Sequence, residues 1–251
     1  MAYEKISAFI ITKNEERNIK RALESIKWAD EIIVVDGYST DQTCQIAKKY
    51  GAKIISSKFE GFDAEKNKAI KACKYDWIIE IDADEELTAG SEVEIRKACL
   101  SKEFSGFEFM REERFLGRLL IKAKKIRLYQ NKFFYKNYTH EVLQISGKIG
   151  SLKSVIKHYN NQNVNEFIEY VDYESTQEVD KMFKEGKKYS KWGILWRMPY
   201  VTIKNFGIYY IYLGLIFKGF AGLSFTIIAC FHANIVLIKY YEKMYIKNNK
   251  K

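Results

Sequence analysis

The sequence predicts an α/β protein: a doubly wound, mostly parallel sheet over residues 1–160, followed by a helical extension, 161–251. Three observations carry that reading. Four apolar runs alternate with three helical patterns in the first eighty residues, the order that builds a parallel sheet covered by helices. Three of those runs stop abruptly in acidic or polar clusters, as strands do when they deliver ligand-binding groups to a crevice. The charge also changes sign along the chain. Residues 1–100 hold 16 Lys/Arg against 19 Asp/Glu (net −3), and residues 101–251 hold 26 against 13 (net +13).

Ile6–Thr12 (ISAFIIT) carries no charge, as a central parallel strand requires, and leads into Lys13-Asn14-Glu15-Glu16. A helical pattern follows through Ile19, Ala22, Leu23 and Ile26. The strand EIIVV, 31–35, runs straight into Asp36-Gly37-Tyr38-Ser39-Thr40-Asp41. The next helix, Gln42–Tyr50, is expected to be capped by Asp41 or the preceding hydroxyls and ended by Gly51. Lys53–Ser56 makes a third strand and Ala64–Lys74 a third helix. The fourth strand, 76–81, has Glu80 as the one charge inside its apolar run Trp77–Ile81 and breaks into Asp82-Ala83-Asp84-Glu85-Glu86. Two aspartates flanking one small residue can share a hard divalent cation that also holds a phosphate.

Beyond these, Gly106–Met110 and Ile126–Tyr129 read as short strands flanking a basic segment with Arg111, Arg114 and Arg118. His140-Glu141 is a compact acid/base pair able to take a proton from an attacking hydroxyl. Residues 165–183 fit an amphipathic helix with six acids and no base from Glu166 to Asp180. Lys181–Lys204 then holds seven Lys/Arg against one acid, with Pro199 expected to mark a break or a helix start. Val201–Ile238 holds only Lys204 and Lys218 as charges, and its uncharged stretch Gly219–Ile238 is nominally long enough to span a bilayer. Its polar residues and the neighbouring Tyr and Trp predict instead a pair of helices lying in or against a membrane surface. A buried hairpin or a homodimer face is the alternative.

Four scattered cysteines, with neither CxxC nor metal-ligand spacing, exclude a disulfide framework and a zinc site and fit a cytoplasmic protein. No secretory signal is expected from the opening residues. The glycine-rich cradles of dinucleotide-binding and P-loop proteins are missing after the first strand. The expected ligand is therefore a nucleotide whose diphosphate is held by a metal. No nucleic-acid-binding motif accompanies the basic half, so its expected partner is an anionic membrane surface and not nucleic acid.

In order and spacing, IITKNEERNIKRALESI, EIIVVDGYSTDQT and IIEIDADEEL resemble a family 2 glycosyltransferase of GT-A fold. RLYQNK, THEVL and the apolar C-terminal segments resemble the lipopolysaccharide core branch. The resemblance implies an inverting transfer from a nucleotide sugar, expected to be a UDP-sugar, to a lipid-linked glycan at the inner face of the bacterial cytoplasmic membrane. It also implies roles for individual residues. Thr12, Asn14 and Glu15 would line the nucleotide pocket. Asp36 would bind the base, with Ser39 and Asp41 shaping its loop. Lys66 and Asn67 match the Arg-Asn that often precedes the metal motif. Asp82 would face the ribose, and Asp84 would hold Mn²⁺ or Mg²⁺. The family's aspartate base has no counterpart here, so His140 and Glu141 are taken as the catalytic pair. Arg111, Arg114, Arg118 and Arg127 are candidates for an acceptor phosphate. Competing readings are a non-catalytic membrane scaffold of the same fold and a sugar nucleotidylyltransferase, whose lysine-bearing glycine loop is missing.

Overall fold

The apolar runs that alternate with helical patterns do form one sheet in the computed structural model, which describes residues 3–136, 142–159 and 164–247. β1 (Ile6–Thr12), β2 (Glu31–Asp36), β3 (Lys53–Ser56) and β4 (Trp77–Glu80) are parallel neighbours in the order β3-β2-β1-β4. They are linked by α1 (Ile19–Ile26), α2 (Thr43–Lys49) and α3 (Phe62–Ala72). The order runs outward from β1 to β3 and then returns to β4, so the direction of winding reverses between β1 and β4. With right-handed crossovers, that reversal moves the helices to the opposite face. The core follows this layout. Ala8, Ile10, Val34 and Ile79 pack with Leu23 of α1 and Ala47 of α2, while Phe9, Ile33, Val35 and Ile78 pack with Ala69 and Ile70 of α3. Alternate residues of β1, β2 and β4 thus serve two cores, which is why these strands are mostly apolar.

Four strands extend the sheet past β4. β5 (Glu85–Leu87) leads to α4 (Ser91–Cys99), which the sequence reading did not separate from the acidic turn. β6 (Phe104–Phe115) and β7 (Arg118–Gln130) form one long hairpin where two short strands were expected. Leu116 and Gly117 both have positive φ, 47° and 73°, as a two-residue hairpin that follows the strand twist requires. The basic segment is therefore part of the strands. β10 (Lys148–His158) lies parallel to β6, and β5 closes the order β4-β7-β6-β10-β5 by antiparallel pairing with β10. β8 (Tyr135–Lys136) and β9 (Val142–Leu143) form a separate antiparallel pair.

The chain divides into two compact units, Met1–Glu113 with Lys122–Tyr159, and Arg114–Ile121 with Asn160–Lys251. The second holds the hairpin tip, α5 (Val164–Lys184), α6 (Lys191–Phe206) and α7 (Gly219–Tyr241). Pro199 lies inside α6 and neither breaks nor starts it; the missing N–H falls on a solvent-exposed face. Phe115, Phe167 and Phe225 pack ring against ring within this unit, and Val179, Met182, Ile194, Val236 and Tyr240 form its second cluster. The helical run Leu215–Ile246 is long and apolar enough to cross a membrane, by length and composition.

Candidate active site

Thr12 and Asp36 end adjacent parallel strands in register, and Gly37 N donates to Thr12 O at 2.8 Å. The two loops that follow are tied to each other. Asn14, held at φ 55°, donates its N–H to Ser39 Oγ (2.8 Å) and accepts from Thr40 N through Oδ1 (2.8 Å). Glu15 N donates to Thr43 Oγ1 (2.8 Å), while Asp41 accepts from Glu16 N (3.1 Å) and Thr43 N (3.0 Å). Asp36 is buried, its Oδ2 accepting the Ser39 N–H at 2.9 Å and its Oδ1 the Ser39 hydroxyl at 2.5 Å. A carboxylate has about four acceptor positions, so these bonds orient the group and leave it capacity for a ligand donor. Burial and the Asp36 carboxylate push the neighbouring Cys44 thiol up to about 11. Thr12 Oγ1 is buried with no hydrogen-bond partner among the described residues, so a polar group brought by a bound molecule fits there.

Phe9 pairs with Glu80 across β1 and β4, and Ile81 N donates to Phe9 O (3.2 Å). Continuing that register brings Asp82-Ala83-Asp84 out beside Thr12, at the point where the winding reverses. Open α/β sheets place their ligands at this switch point.

Beneath the acidic turn lies a buried ion network. Arg127 of β7 bridges Glu80, Asp82 and Glu85, its Nη2 2.7 Å from Glu85 Oε1. Lys66 of α3 pairs with Glu80 Oε1 at 2.8 Å, and Glu80 Oε2 accepts the hydroxyls of Tyr129 (2.9 Å) and Tyr135 (2.6 Å). Arg111 Nε lies 2.6 Å from Glu85 Oε1. Three cations thus meet three carboxylates, the balance that buried charge needs. Burial raises the pKa of Asp82, but Arg127, Lys66 and Arg111 outweigh it and hold that carboxyl well below its usual range. Burial and the Asp82 charge together push Glu85 up.

Asp84 leaves this network and meets the end of β10. His158 pairs with Glu85 across β10 and β5, which brings its Nε2 to 3.0 Å from Asp84 Oδ2 and its Nδ1 to 2.5 Å from Glu113 Oε2. Burial lowers the His158 pKa, but Asp84 and Glu113 more than reverse that and push it up to about 9. Tyr159 fixes the same corner, its N–H on Asp84 O (2.9 Å) and its hydroxyl on Glu86 (2.7 Å). With its pKa raised, the His158 ring is protonated and donates to both carboxylates, so a metal taken up by Asp84 and Nε2 would have to displace the Nε2 proton, while Glu113 would keep the ring in place. No group of three such side chains occurs among the described residues, so further ligands would come from substrate phosphate and water, as is usual for Mg²⁺.

The structure therefore brings Thr12, Asn14, Glu15, Asp36 and Ser39 together on one side and Asp82 and Asp84 on the other. Lys66 is turned inward onto Glu80, and Asn67 ties Tyr135 through two backbone bonds (2.8 and 2.9 Å). Of the arginines read as acceptor-phosphate grips, Arg127 is buried and Arg111 largely so, both committed to carboxylates, which corrects that reading for these two. His140 and Glu141 lie outside the described residues. Glu80, Glu85, Glu113 and His158 were given no role from sequence. A lone Glu inside an apolar strand and a lone Arg inside IRLY were signals that two buried charges must find each other.

Residues 7–149 match the model of glycosyl transferase family 2. An uncharacterised glycosyltransferase of Rickettsia typhi is 33% identical over 95% of this chain and 87% of its own length. The lipopolysaccharide core biosynthesis glycosyltransferase LpsC of Rhizobium meliloti is 24% identical over 96% of this chain and 94% of its own. Among solved structures, S. aureus TarS covers 69% of this chain and 39% of its own at 18% identity, with a TM-score of 0.44. With a strand order, a switch-point crevice and a matched segment spanning both loops and the acidic turn, the chain belongs to glycosyl transferase family 2.

Proposed function

We propose that this glycosyltransferase moves a hexosyl group from a UDP-sugar to a lipid-linked glycan of the lipopolysaccharide core class, with inversion and with Mn²⁺ or Mg²⁺ at the acidic turn. The observation that carries the metal-dependent reading is the meeting of Asp84 Oδ2 and His158 Nε2 at 3.0 Å beside Asp82. The acceptor class rests on the likeness to LpsC over almost the whole of both chains.

Asp36 is the base-recognition group. Its orientation by Ser39 supports an acceptor aimed at a ring N–H, which uracil offers and cytosine does not. Thr12, Asn14 and Glu15 line the nucleoside side, and Asp82, held by Arg127, stands on the ribose side. A divalent cation on Asp84 and His158 would neutralise charge building on the leaving diphosphate. Glu113 keeps the His158 ring in place, and Arg127 with Lys66 keeps the carboxylates from repelling each other. In the displacement, the acceptor oxygen bonds to the anomeric carbon as the bond to the diphosphate oxygen breaks. The acceptor proton goes to a base, for which His140 or Glu141 is proposed.

A panel of nucleotide sugars, assayed for hydrolysis with Mn²⁺, Mg²⁺ or chelator, tests the reading. Metal-dependent turnover of a UDP-sugar, lost in Asp84→Ala, is expected, and NMR of the transfer product should show an inverted anomeric centre. Full activity in chelator, or in Asp84→Ala, would refute the metal role. Full transfer in a variant with both His140 and Glu141 replaced would refute the base.

A further inference from the structure

The second unit carries an apolar face that its own packing leaves uncovered. On α6, Trp192, Trp196, Pro199 and Ile203 stand at i, i+4, i+7 and i+11, one side of a helix. Trp192, Trp196 and Ile203 are 73%, 75% and 73% exposed, and Tyr200 beside them is also exposed. The opposite side is the packed one: Ile194 is buried, and Thr202 accepts from Asn234 of α7 (2.7 Å). Helix α6 is thus apolar on both sides, and only one is satisfied within the unit. The turn leading into α7 exposes Phe217 (87%) in the same way.

Charge selects the partner. No Asp or Glu occurs between Glu185 and Glu242, while Lys187, Lys188, Lys191, Arg197 and Lys204 lie in the same stretch, all exposed. Tryptophan and tyrosine rimmed by lysine suit the headgroup level of an anionic bilayer. Protein–protein interfaces use the same aromatics and are depleted in lysine.

The arrangement of the helices also decides the mode of contact. α5 lies along α7, and Lys239 and Lys243 reach Asp172 and Asp180 of α5. Asp172 has a side chain 76% exposed. A bilayer surrounding α7 would immerse these carboxylates in hydrocarbon, which is strongly unfavourable. α7 is packed along Gly222, Thr226, Cys230 and Leu237, the side that supports α6, and exposes Phe220, Ile227, Phe231 and Ile238 on the other.

We propose that the α6 face of Trp192, Trp196, Tyr200 and Ile203 inserts in the plane of an anionic lipid leaflet, and that α7 supports it without crossing the membrane. The proposal deepens the reading of a lipid-linked acceptor. The vesicles that test it carry no glycan, so its failure would leave the transfer reading standing.

The full chain should float with phosphatidylglycerol-containing vesicles roughly tenfold or more over pure phosphatidylcholine, with a blue shift in tryptophan fluorescence. Bromines placed near the headgroup should quench more than bromines near the chain ends. Trp192→Glu with Trp196→Glu should abolish flotation and the shift. Both positions face solvent, so UDP-sugar hydrolysis and the circular dichroism spectrum should be unchanged. If Trp192→Phe with Trp196→Phe retains flotation while the quenching disappears, these two rings are the reporters. Three results would overturn the proposal: flotation indifferent to lipid charge, strongest quenching at the chain ends, or a dimer in solution that the Glu variants dissociate while vesicles bind neither form.

Discussion

The two sides of the donor crevice are held by different forces. On the β1–β2 side, Asp36 is oriented by a neutral hydroxyl and a backbone N–H of Ser39, and the loops carrying Asn14 and Thr40 are tied by ordinary hydrogen bonds. On the β4 side, Asp82 and Asp84 are fixed by charges, Arg127 on the first and His158 on the second. Hydrogen bonds from uncharged donors to a carboxylate contribute about 1.5–3 kcal/mol each and leave it free to accept more. Buried charges are worth far more when one partner is lost, because what remains is uncompensated. A site built this way should tolerate change where it reads the base and fail where it meets the diphosphate.

Removing the shared cation is the harshest break. Arg127→Met leaves Glu80, Asp82 and Glu85 with Lys66 and Arg111 alone. Urea unfolding should show a loss of about 3–5 kcal/mol, partly restored by adding Glu80→Gln. An unchanged midpoint would mean that the network carries little stability. Asp84→Ala should act mainly on catalysis, with a smaller cost in stability, since the buried His158 loses one carboxylate and keeps Glu113. Metal-dependent hydrolysis should fall by about 10²–10³-fold, or roughly 3–4 kcal/mol, with a melting temperature lowered by less than in Arg127→Met. Ser39→Ala sharpens the contrast from the other side. It deletes one bond to Asp36 and one from Asn14 N, so KM for the donor should rise by about tenfold, with kcat nearly unchanged. A large fall in kcat would show that Asp36 serves more than recognition.

The same difference in forces explains what was legible in the sequence. β1, β2 and β4 announce themselves because strands buried on both faces are mostly apolar, and a run such as FIIT or IIVV has few other uses, while the edge strand β3 is half-buried and shows only Ile54-Ile55. Asp36, Ser39 and Asp82 to Asp84 follow directly from where those runs end. The charge network was hidden because it is assembled across the sheet. Arg127 comes from β7, paired antiparallel beside β4, and His158 reaches Asp84 only because β10 pairs with β5. Neither pairing leaves a local pattern. Arg127 looked available to a ligand because a sequence does not say which way a residue of a central strand points. The α6 stripe had the opposite fate. Its aromatic and basic composition was plain, while Pro199 suggested a break that an exposed helical face does not require.

The smallest effect distinguishes strain from recognition inside the neutral half. Asn14 and Tyr38 both sit at positive φ, 55° and 59°, a region that costs an ordinary L-residue about 1–2 kcal/mol and glycine almost nothing. Asn14 is compensated through its side chain, which accepts from Thr40 N, so Asn14→Gly should destabilise by about 1 kcal/mol. Tyr38 is 61% exposed. Tyr38→Gly should therefore relieve strain, less the added freedom of the unfolded chain, for a net gain of about 0.5–1 kcal/mol and a melting temperature a few degrees higher. Opposite signs at two positions with the same backbone would separate a residue kept for its hydrogen bonds from one kept for something the folded chain does not use. If Tyr38→Gly also raises KM for the donor or acceptor, the strain is retained for binding. If activity is unaffected, the ring has no part in the reaction, and the neutral half consists of Asp36, Ser39 and Asn14.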